Sequence, residues 1–398
     1  MLCAMITRRF GKTGLAMPVF TCGGMRYQMS WSEAVPQQLD EANQRNLEAT
    51  IHRSLEVGLR HIETARGYGT SEYQLGLVLR QLPRESFWIQ SKVAPTADPR
   101  EFLKNFAKSL ELLQVDYLDL LGLHGINNRE ILENALRPGG CLDEALRLKR
   151  EGRVRFVGFS THGPPEVILA ALRCGGFDYV NLHWYFIFQR NTPCLKEAAN
   201  HDMGVFIISP SDKGGLLYKP TERLKALTAP LSPMAFNDLY CLQRPEIHTL
   251  SVGAARPGDF DEHLSVLPRL ESGRDQVRAI AARLESELDA VMGRDFRLRH
   301  EEFLPPLEST PGGVNLRVII WLWLLDKAFG MRDYAKMRYN LLGNGDHWFP
   351  GKKADPALLP DLARALGDHP WRGEIAGILR EAHEKFSAEE QKRLTKSE

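Results

Sequence analysis

FWIQSKVAPTADPREFLKNFAKSLELLQVDYLDLLGLHG, residues 87–125, reads as one strand–helix–strand unit. Its ends, FWIQSKV (87–93) and YLDLLGLHG (117–125), are short runs of apolar, β-branched and aromatic residues, the signature of buried strands. Its middle, FLKNFAKSLELLQV (102–115), spaces apolar residues three and four apart, as one buried helix face requires. Strands joined through a helix pair in parallel, because the crossover returns the chain to the same end of the sheet.

The same alternation runs outward in both directions. Strand-like runs recur at VFTCGG (19–24), RHIETA (60–65), VRFVGFS (154–160), YVNLHWYF (179–186), VFIISP (205–210) and HTLSVGA (248–254). Helical spacing lies between most of them: NLEATIHRSLEVG (46–58), CLDEALRLKREGRV (141–154), PPEVILAALRCGG (164–176) and CLKEAANHDMG (194–204). Paired prolines suit the first turn of the third of these and paired glycines its end. Eight such units in ~250 residues predict a (β/α)8 TIM barrel. A doubly wound sheet would carry a glycine-rich phosphate loop after its first strand; here that place holds CGGMRYQ (22–28), which is not GxGxxG.

Two stretches exceed a minimal barrel. Residues 211–248, with SDKGGLLYKPTERLKALTAPLSPMAFN, form an enlarged, proline-bearing connection, of the kind that covers a site. From about residue 271 the pattern turns helical, so the expected division is a barrel over 1–270 and a helical C-terminal extension over 271–398. VIIWLWLL (318–325) falls short of the ~20 apolar residues that span a bilayer, and reads as a buried helix continuing through DKAFGMRDYAKMRYNLL. The last ten or so residues read as a frayed helix end.

The 51 basic and 50 acidic residues nearly cancel, which removes any electrostatic argument for a nucleic-acid partner. Cys3, Cys22, Cys141, Cys174, Cys194 and Cys241 are scattered without a CxxC pair, as free thiols of a reducing compartment are. The start, MLCAMITRRFGKTG, lacks the apolar core of a signal peptide. A cytoplasmic protein without a membrane segment is the expectation.

In a parallel barrel the carboxyl ends of the strands meet at one mouth. Glu63 ends the second run, Tyr68 lies on the loop beyond it, Lys92 ends the third and His124 the fourth. A phenol with pKa near ~10 is a weak acid at neutral pH. A neighbouring ammonium lowers that value, a carboxylate holds the ammonium, and a histidine can orient the substrate oxygen. The set suits a reaction that builds negative charge on a carbonyl oxygen. Singly, each has a structural explanation: a surface ion pair, a core histidine, a loop cap. Together at successive strand ends they point to catalysis. No HxH or comparable ligand cluster marks a metal site, and His300 and His347 stand alone.

With these residues in view, the sequence resembles the aldo-keto reductase superfamily. GLRHIETARGYGTSEYQLG (58–76) is similar to its signature around the catalytic acid and tyrosine. WIQSKV, DLLGLHG, VRFVGFS, FIISP and SVGAARPGDFDEHL follow in the family's order, over roughly residues 6–270. The resemblance implies an NADPH-dependent barrel reducing an aldehyde or ketone. Tyr68 would be the general acid, Lys92 its partner and His124 the orienting group. Glu63 stands where the family usually has aspartate, one methylene shorter.

The resemblance further implies cofactor positions. Gly23, Gly24 and Met25 would approach the nicotinamide side, and Ser160 and Thr161 the carboxamide. Ser209, Pro210, Ser211, Lys213 and Gly214 would clasp the pyrophosphate. Ile208 falls where many relatives stack an aromatic. Gly253 and Arg256 would meet the adenosine 2′-phosphate, for which a guanidinium fork is suited; this favours NADPH over NADH. LLGNGDHWFPGKKAD (341–355) resembles the approach to a ferredoxin-like tail of one branch. No cysteine follows Cys241 to ligate an iron–sulfur cluster, so a degenerate helical tail is expected. The alternative function is a regulatory barrel that binds NADP(H) without turnover. Trp184, Tyr185 and Phe186 are candidates for either pocket or core.

Overall fold

The computed structural model describes residues 5–32, 34–343 and 350–388. His347 and part of LLGNGDHWFPGKKAD lie outside them, as do Cys3 and the charged end 389–398. The chain divides into two compact units. Of the described residues, the first holds 5–214 and 237–274, and the second 215–236 and 275–388.

The first unit opens with a hairpin, β1 (Thr7–Arg9) against β2 (Ala16–Pro18), which the alternating pattern did not announce. Eight parallel strands follow: β3 (Phe20–Gly23), β4 (His61–Glu63), β5 (Trp88–Val93), β6 (Leu118–Leu123), β7 (Val154–Ser160), β8 (Tyr179–Leu182), β9 (Gly204–Ile207) and β10 (Thr249–Val252). They pair in sequence order, and β10 pairs with β3 to close the ring. This is a (β/α)8 TIM barrel, as the alternation predicted. Closure leaves no unpaired edge.

Side-chain alternation then decides what the barrel encloses. Tyr179 and Phe206 are fully buried in one cluster with Leu120 and with Phe10, Leu15 and Met17 of the hairpin segment. Those residues floor the barrel. Two positions on from Tyr179 comes Asn181, and two further His183, so both continue on the inner face. By the same register Gly23 lies opposite Glu63, Glu63 opposite Gln90, Lys92 opposite Gly122, and Ser160 opposite Asn181. Above the floor runs a polar layer, in which Thr21 Oγ1 lies 2.9 Å from both His61 Nδ1 and Thr249 Oγ1.

The expected helices are present, with N-caps of known chemistry. Asp98 accepts from Arg100 N–H before Pro99–Leu113, and Asp40 accepts from Ala42 and Asn43 N–H before Glu41–Glu56. One helix, Ser71–Leu79, escaped the periodicity. It has no polar face to alternate with, because Ser71, Glu72, Gln74, Leu75, Gly76, Val78 and Leu79 are all buried. Gly76 explains how closely it packs: a Cβ there would lie 2.0 Å from the Leu112 carbonyl oxygen of the neighbouring helix. Gly76→Ala is therefore expected to destabilise the protein by about 1–3 kcal/mol in urea unfolding, despite a helix-propensity gain of about 1 kcal/mol. An unchanged or raised stability would refute the close approach as a constraint.

In the second unit, VIIWLWLL lies within the helix Leu316–Phe329, which is buried on most of its surface. The expected single long helix is two. Gly330, at φ +68°, ends the first in the left-handed region, and Arg332–Tyr339 begins anew. Trp323 Nε1–H donates to Glu381 of the helix Arg372–Phe386 at 2.8 Å, and Tyr339 Oη lies 2.9 Å from His383 Nδ1. No helix among the described residues is long and apolar enough to cross a membrane.

Candidate active site

All eight barrel strands run the same way, so their last residues share one rim. Glu63 is the last residue of β4, Lys92 the penultimate residue of β5, and His124 follows β6 directly. The loop after β4 is stapled back onto β5, since Thr64 N–H and Arg66 N–H donate to the Gln90 and Lys92 carbonyls. This brings Tyr68 over the rim.

Lys92 is 1% exposed and Glu63 3%, so both charges are out of water. An ammonium has three N–H donors, and Lys92 has a partner for each. Nζ contacts Glu63 Oε1, donates to the Thr64 carbonyl at 2.8 Å, and donates to Tyr68 Oη at 3.2 Å. Glutamate thus reaches the lysine despite its extra methylene. Gly23 gives it room: a Cβ at that position would stand 3.4 Å from Glu63 Oε2 and 2.5 Å from Ser251 Oγ. His124 packs edge-on against Tyr68, with ring centroids 5.8 Å apart.

The electrostatics correct one expectation. Lys92 was expected to draw the Tyr68 phenol down, but burial outweighs it and pushes the phenol above its usual range. Burial also pushes the Lys92 ammonium well below its usual value, against the pull of the adjoining Glu63 carboxylate. Burial lowers His124 to about 3, with the charges of Lys92 and Lys213 adding to it. Tyr68 is accordingly a protonated phenol and His124 a neutral ring at pH 7.

His61, held at about 3 chiefly by burial, shares this behaviour. A ring neutral in the fold and free to protonate at ~6.5 when unfolded stabilises the fold fully above pH 6.5. That stability is lost as pH falls toward 3, by up to about 1.4 kcal/mol per pH unit for each ring. Urea unfolding between pH 6.5 and 5, above the carboxylate range, is expected to show a shallower decline in His124→Gln than in the wild type. Parallel declines would refute the low value.

The cofactor candidates divide. Gly24 N–H donates to the Glu63 carbonyl at 2.7 Å, and a Cβ there would lie 2.6 Å from that same oxygen. The two glycines are thus already required by strand packing, with Met25 following on the loop. Ser160 Oγ accepts from Gly125 N–H at 3.1 Å, whereas Thr161 Oγ1 is committed to the Ile126 carbonyl and Gly163 N–H. Ser209 is left-handed at φ +53°, and Lys213 N–H donates to its carbonyl at 2.9 Å. That turn needs Gly214, since a Cβ would fall 1.9 Å from the Pro210 carbonyl oxygen. Within the same turn Ser211 Oγ is buried with no hydrogen-bond partner among the described residues. Ile208 is half-buried and follows β9. Gly253 follows β10, its carbonyl 3.4 Å from Arg26 Nη1, and Arg256 pairs with Asp259 at 3.1 Å with most of its side chain exposed.

Several residues at the rim were not singled out in the sequence. Asn181, fully buried on the inner face beside Ser160, has both amide atoms without a partner among the described residues. Its inward parity, counted from Tyr179, was the signal that could have found it. Trp31 stands edge-on to Tyr68 at 6.0 Å, on a loop fastened by Thr70 and Gln74 to the backbone of Met29 and Ser30. Nothing in local sequence joins residue 31 to residue 68. Of the aromatic run, Trp184 stacks on Tyr240 at 5.3 Å and donates to Thr192, so it serves the core; Phe186 meets the same Tyr240. His300 is buried with Nδ1 2.7 Å from the Phe296 carbonyl.

A closed parallel barrel whose chemistry gathers at the carboxyl rim defines a TIM-barrel enzyme. Residues 20–238 match the Aldo/keto reductase family, and the chain belongs to that family of NAD(P)H-dependent oxidoreductases. It is 25% identical over 280 residues to L-galactose dehydrogenase of Arabidopsis thaliana, covering 61% of this chain and 83% of that one. It is 30% identical over 182 residues to an aldo-keto reductase of Mycobacterium sp. (strain JLS), covering 44% of this chain and 62% of that one. Among solved structures, the holo form of an aldo-keto reductase from Bacillus halodurans superposes with a TM-score of 0.57 at 20% identity, over 69% of this chain and 96% of that one. An aldo-keto reductase of Klebsiella pneumoniae in complex with NADPH gives 0.56 at 20%, over 70% of this chain and 94% of that one.

Proposed function

We propose that the protein reduces an aldehyde or ketone to an alcohol with NADPH, Tyr68 being the general acid. The observation that carries this is the three-way coordination of Lys92. Because Nζ donates to Tyr68 Oη, the phenol oxygen accepts there and keeps its own proton for another acceptor. That acceptor is the carbonyl oxygen of the substrate. As charge builds on it, Tyr68 passes the proton and the ammonium steadies the phenolate left behind. Glu63 holds the ammonium in place, and neutral His124 can donate a hydrogen bond that fixes the carbonyl's direction. Trp31 forms a wall beside the phenol.

A bound reduced nicotinamide supplies the hydride. The residues fit such a group: Ser160 and the unpartnered Asn181 amide suit its carboxamide, and the unpartnered Ser211 hydroxyl within the Ser209–Gly214 turn suits a phosphate oxygen. Arg26 reaches the Gly253 carbonyl beyond β10, Arg256 follows in the same segment, and cations there would suit a 2′-phosphate. The preference for NADPH rests on these guanidiniums. Arg256→Ala is expected to raise KM for NADPH tenfold or more and to leave KM for NADH within twofold. Equal effects on both would remove the phosphate from the reading. Oxidation of NADPH across a panel of small carbonyls tests the reaction itself. Tight binding without any turnover would instead support a regulatory barrel.

For the rest of the chain, we place the boundary between barrel and helical extension near residue 270. The extension is read as a degenerate ferredoxin-like tail that lacks cysteine ligands. The five described cysteines are free thiols, which supports a cytoplasmic setting.

A further inference from the structure

Tyr68 stands between Gly67 and Gly69, the second of them left-handed at φ +51°. Glycine backbone resists rotation least, so the direction of the phenol has to be imposed from outside those two residues. Two side chains that the reaction above does not use stand on either side of them. Arg66 lies on the loop and Glu72 in the first turn of Ser71–Leu79, and Arg66 Nη1 contacts Glu72 Oε2. Glu72 is fully buried and Arg66 mostly so. The other oxygen of Glu72, Oε1, accepts from Ser91 Oγ at 2.6 Å, and Ser91 is itself fully buried.

The Glu72 carboxylate thus joins the loop before Tyr68, the helix after it, and the residue next to Lys92 on β5. The backbone of Arg66 leads to the same place, since its N–H donates to the Lys92 carbonyl at 2.9 Å. The loop is thereby closed on the strand that carries the ammonium, with Lys92 Nζ 3.2 Å from Tyr68 Oη. Stability alone does not account for such a pair. Burial pushes the Glu72 carboxyl above its usual range, with Arg66 the strongest influence against it. Charges taken out of water gain little over well-packed apolar side chains of the same volume. What a buried pair fixes is geometry, and geometry is what proton transfer needs: a displacement of ~1 Å at a reacting group can cost ~100-fold in rate.

We propose that Arg66, Glu72 and Ser91 are positioning residues, whose buried ion pair and hydrogen bond hold Tyr68 at its distance from Lys92 and so set the rate of proton transfer. The inference deepens the preceding reading and rests on it for the role of Tyr68.

The test uses the full-length Arg66→Met/Glu72→Gln double variant, which removes the pair and strands no buried charge. Its kcat for carbonyl reduction should fall ~10–100-fold, with KM for NADPH within about threefold of the wild type. NADPH should still bind one per chain, which separates a misplaced phenol from misfolded protein. Arg66→Lys should keep at least about a third of the wild-type kcat, because Arg66 meets Glu72 through one nitrogen and a point charge can replace that contact. Hydrogen exchange over residues 64–71 gives a readout that needs no turnover. It should quicken about tenfold or more in the double variant, with β8 and β9 exchanging as in the wild type. Exchange over 64–71 that does not change, or a kcat within about threefold of the wild type, overturns the inference. So does a loss of rate matched by an equal loss of NADPH-binding capacity. If the wild type reduces no carbonyl, the catalytic reading falls by itself; faster exchange confined to 64–71 then upholds the clamp, and unchanged exchange overturns it. If the double variant does not fold, Ser91→Ala decides, with a fall in kcat of about threefold or more expected and an unchanged kcat overturning the inference.

Discussion

Tyr68→Phe is expected to cut carbonyl reduction by a thousandfold or more while leaving NADPH affinity within about threefold. The substitution removes one oxygen and keeps the ring, so the packing of Trp31 and His124 against it persists. What is lost is the proton donor and one of the three acceptors around the Lys92 ammonium. Acid catalysis by a positioned side chain contributes ~10²–10⁴-fold. The loss belongs in kcat rather than in cofactor binding, because the phenol meets the substrate oxygen only as charge develops. Single-turnover measurements with saturating NADPH would separate the two. A variant retaining a tenth of the wild-type rate would dismiss Tyr68 as the acid.

Lys92→Met should affect two quantities that are usually separate, rate and stability. It removes the positive charge that steadies the phenolate, so reduction should fall by roughly the same thousandfold or more. It also strands the Glu63 carboxylate, 3% exposed, without its ion-pair partner. Breaking one side of a buried pair costs about 3–5 kcal/mol, because the remaining charge has neither water nor partner. Adding Glu63→Gln to Lys92→Met should restore most of that stability and none of the activity. This split is the useful result, since a purely structural pair would show a stability change with no catalytic counterpart. Denaturant unfolding and single-turnover rates on the two single variants and the double variant complete the cycle. If Lys92→Met is as stable as the wild type, the pair is not desolvated in the way its burial implies.

The barrel was legible because its strands are buried on both faces and its helices on one, and those two burial patterns differ in period. FWIQSKV and YLDLLGLHG carry that difference openly. Where burial broke the pattern, the sequence fell silent. Ser71–Leu79 is buried all round, so it shows no stripe, and the β1–β2 hairpin is too short to show alternation. Glu63, Lys92 and His124 could be located because strand ends are marked by a change from apolar to polar. Glu63 also reaches Lys92 through space that the missing side chain of Gly23 leaves open, and no local sequence signal states that. Asn181 depends on inward parity and on proximity across the rim, which closure of the ring creates. The direction of the Tyr68 shift depended on how much water the fold removes, and a list of neighbouring residues does not contain that quantity.

The hairpin segment has a consequence beyond packing. With Phe10, Leu15 and Met17 packed against Tyr179 and Phe206, the barrel is closed at its floor, and what reaches the site comes in by the rim. Whatever lies deepest must enter first and leave last, so two molecules sharing that doorway have their sequence of arrival and departure imposed by the floor beneath them.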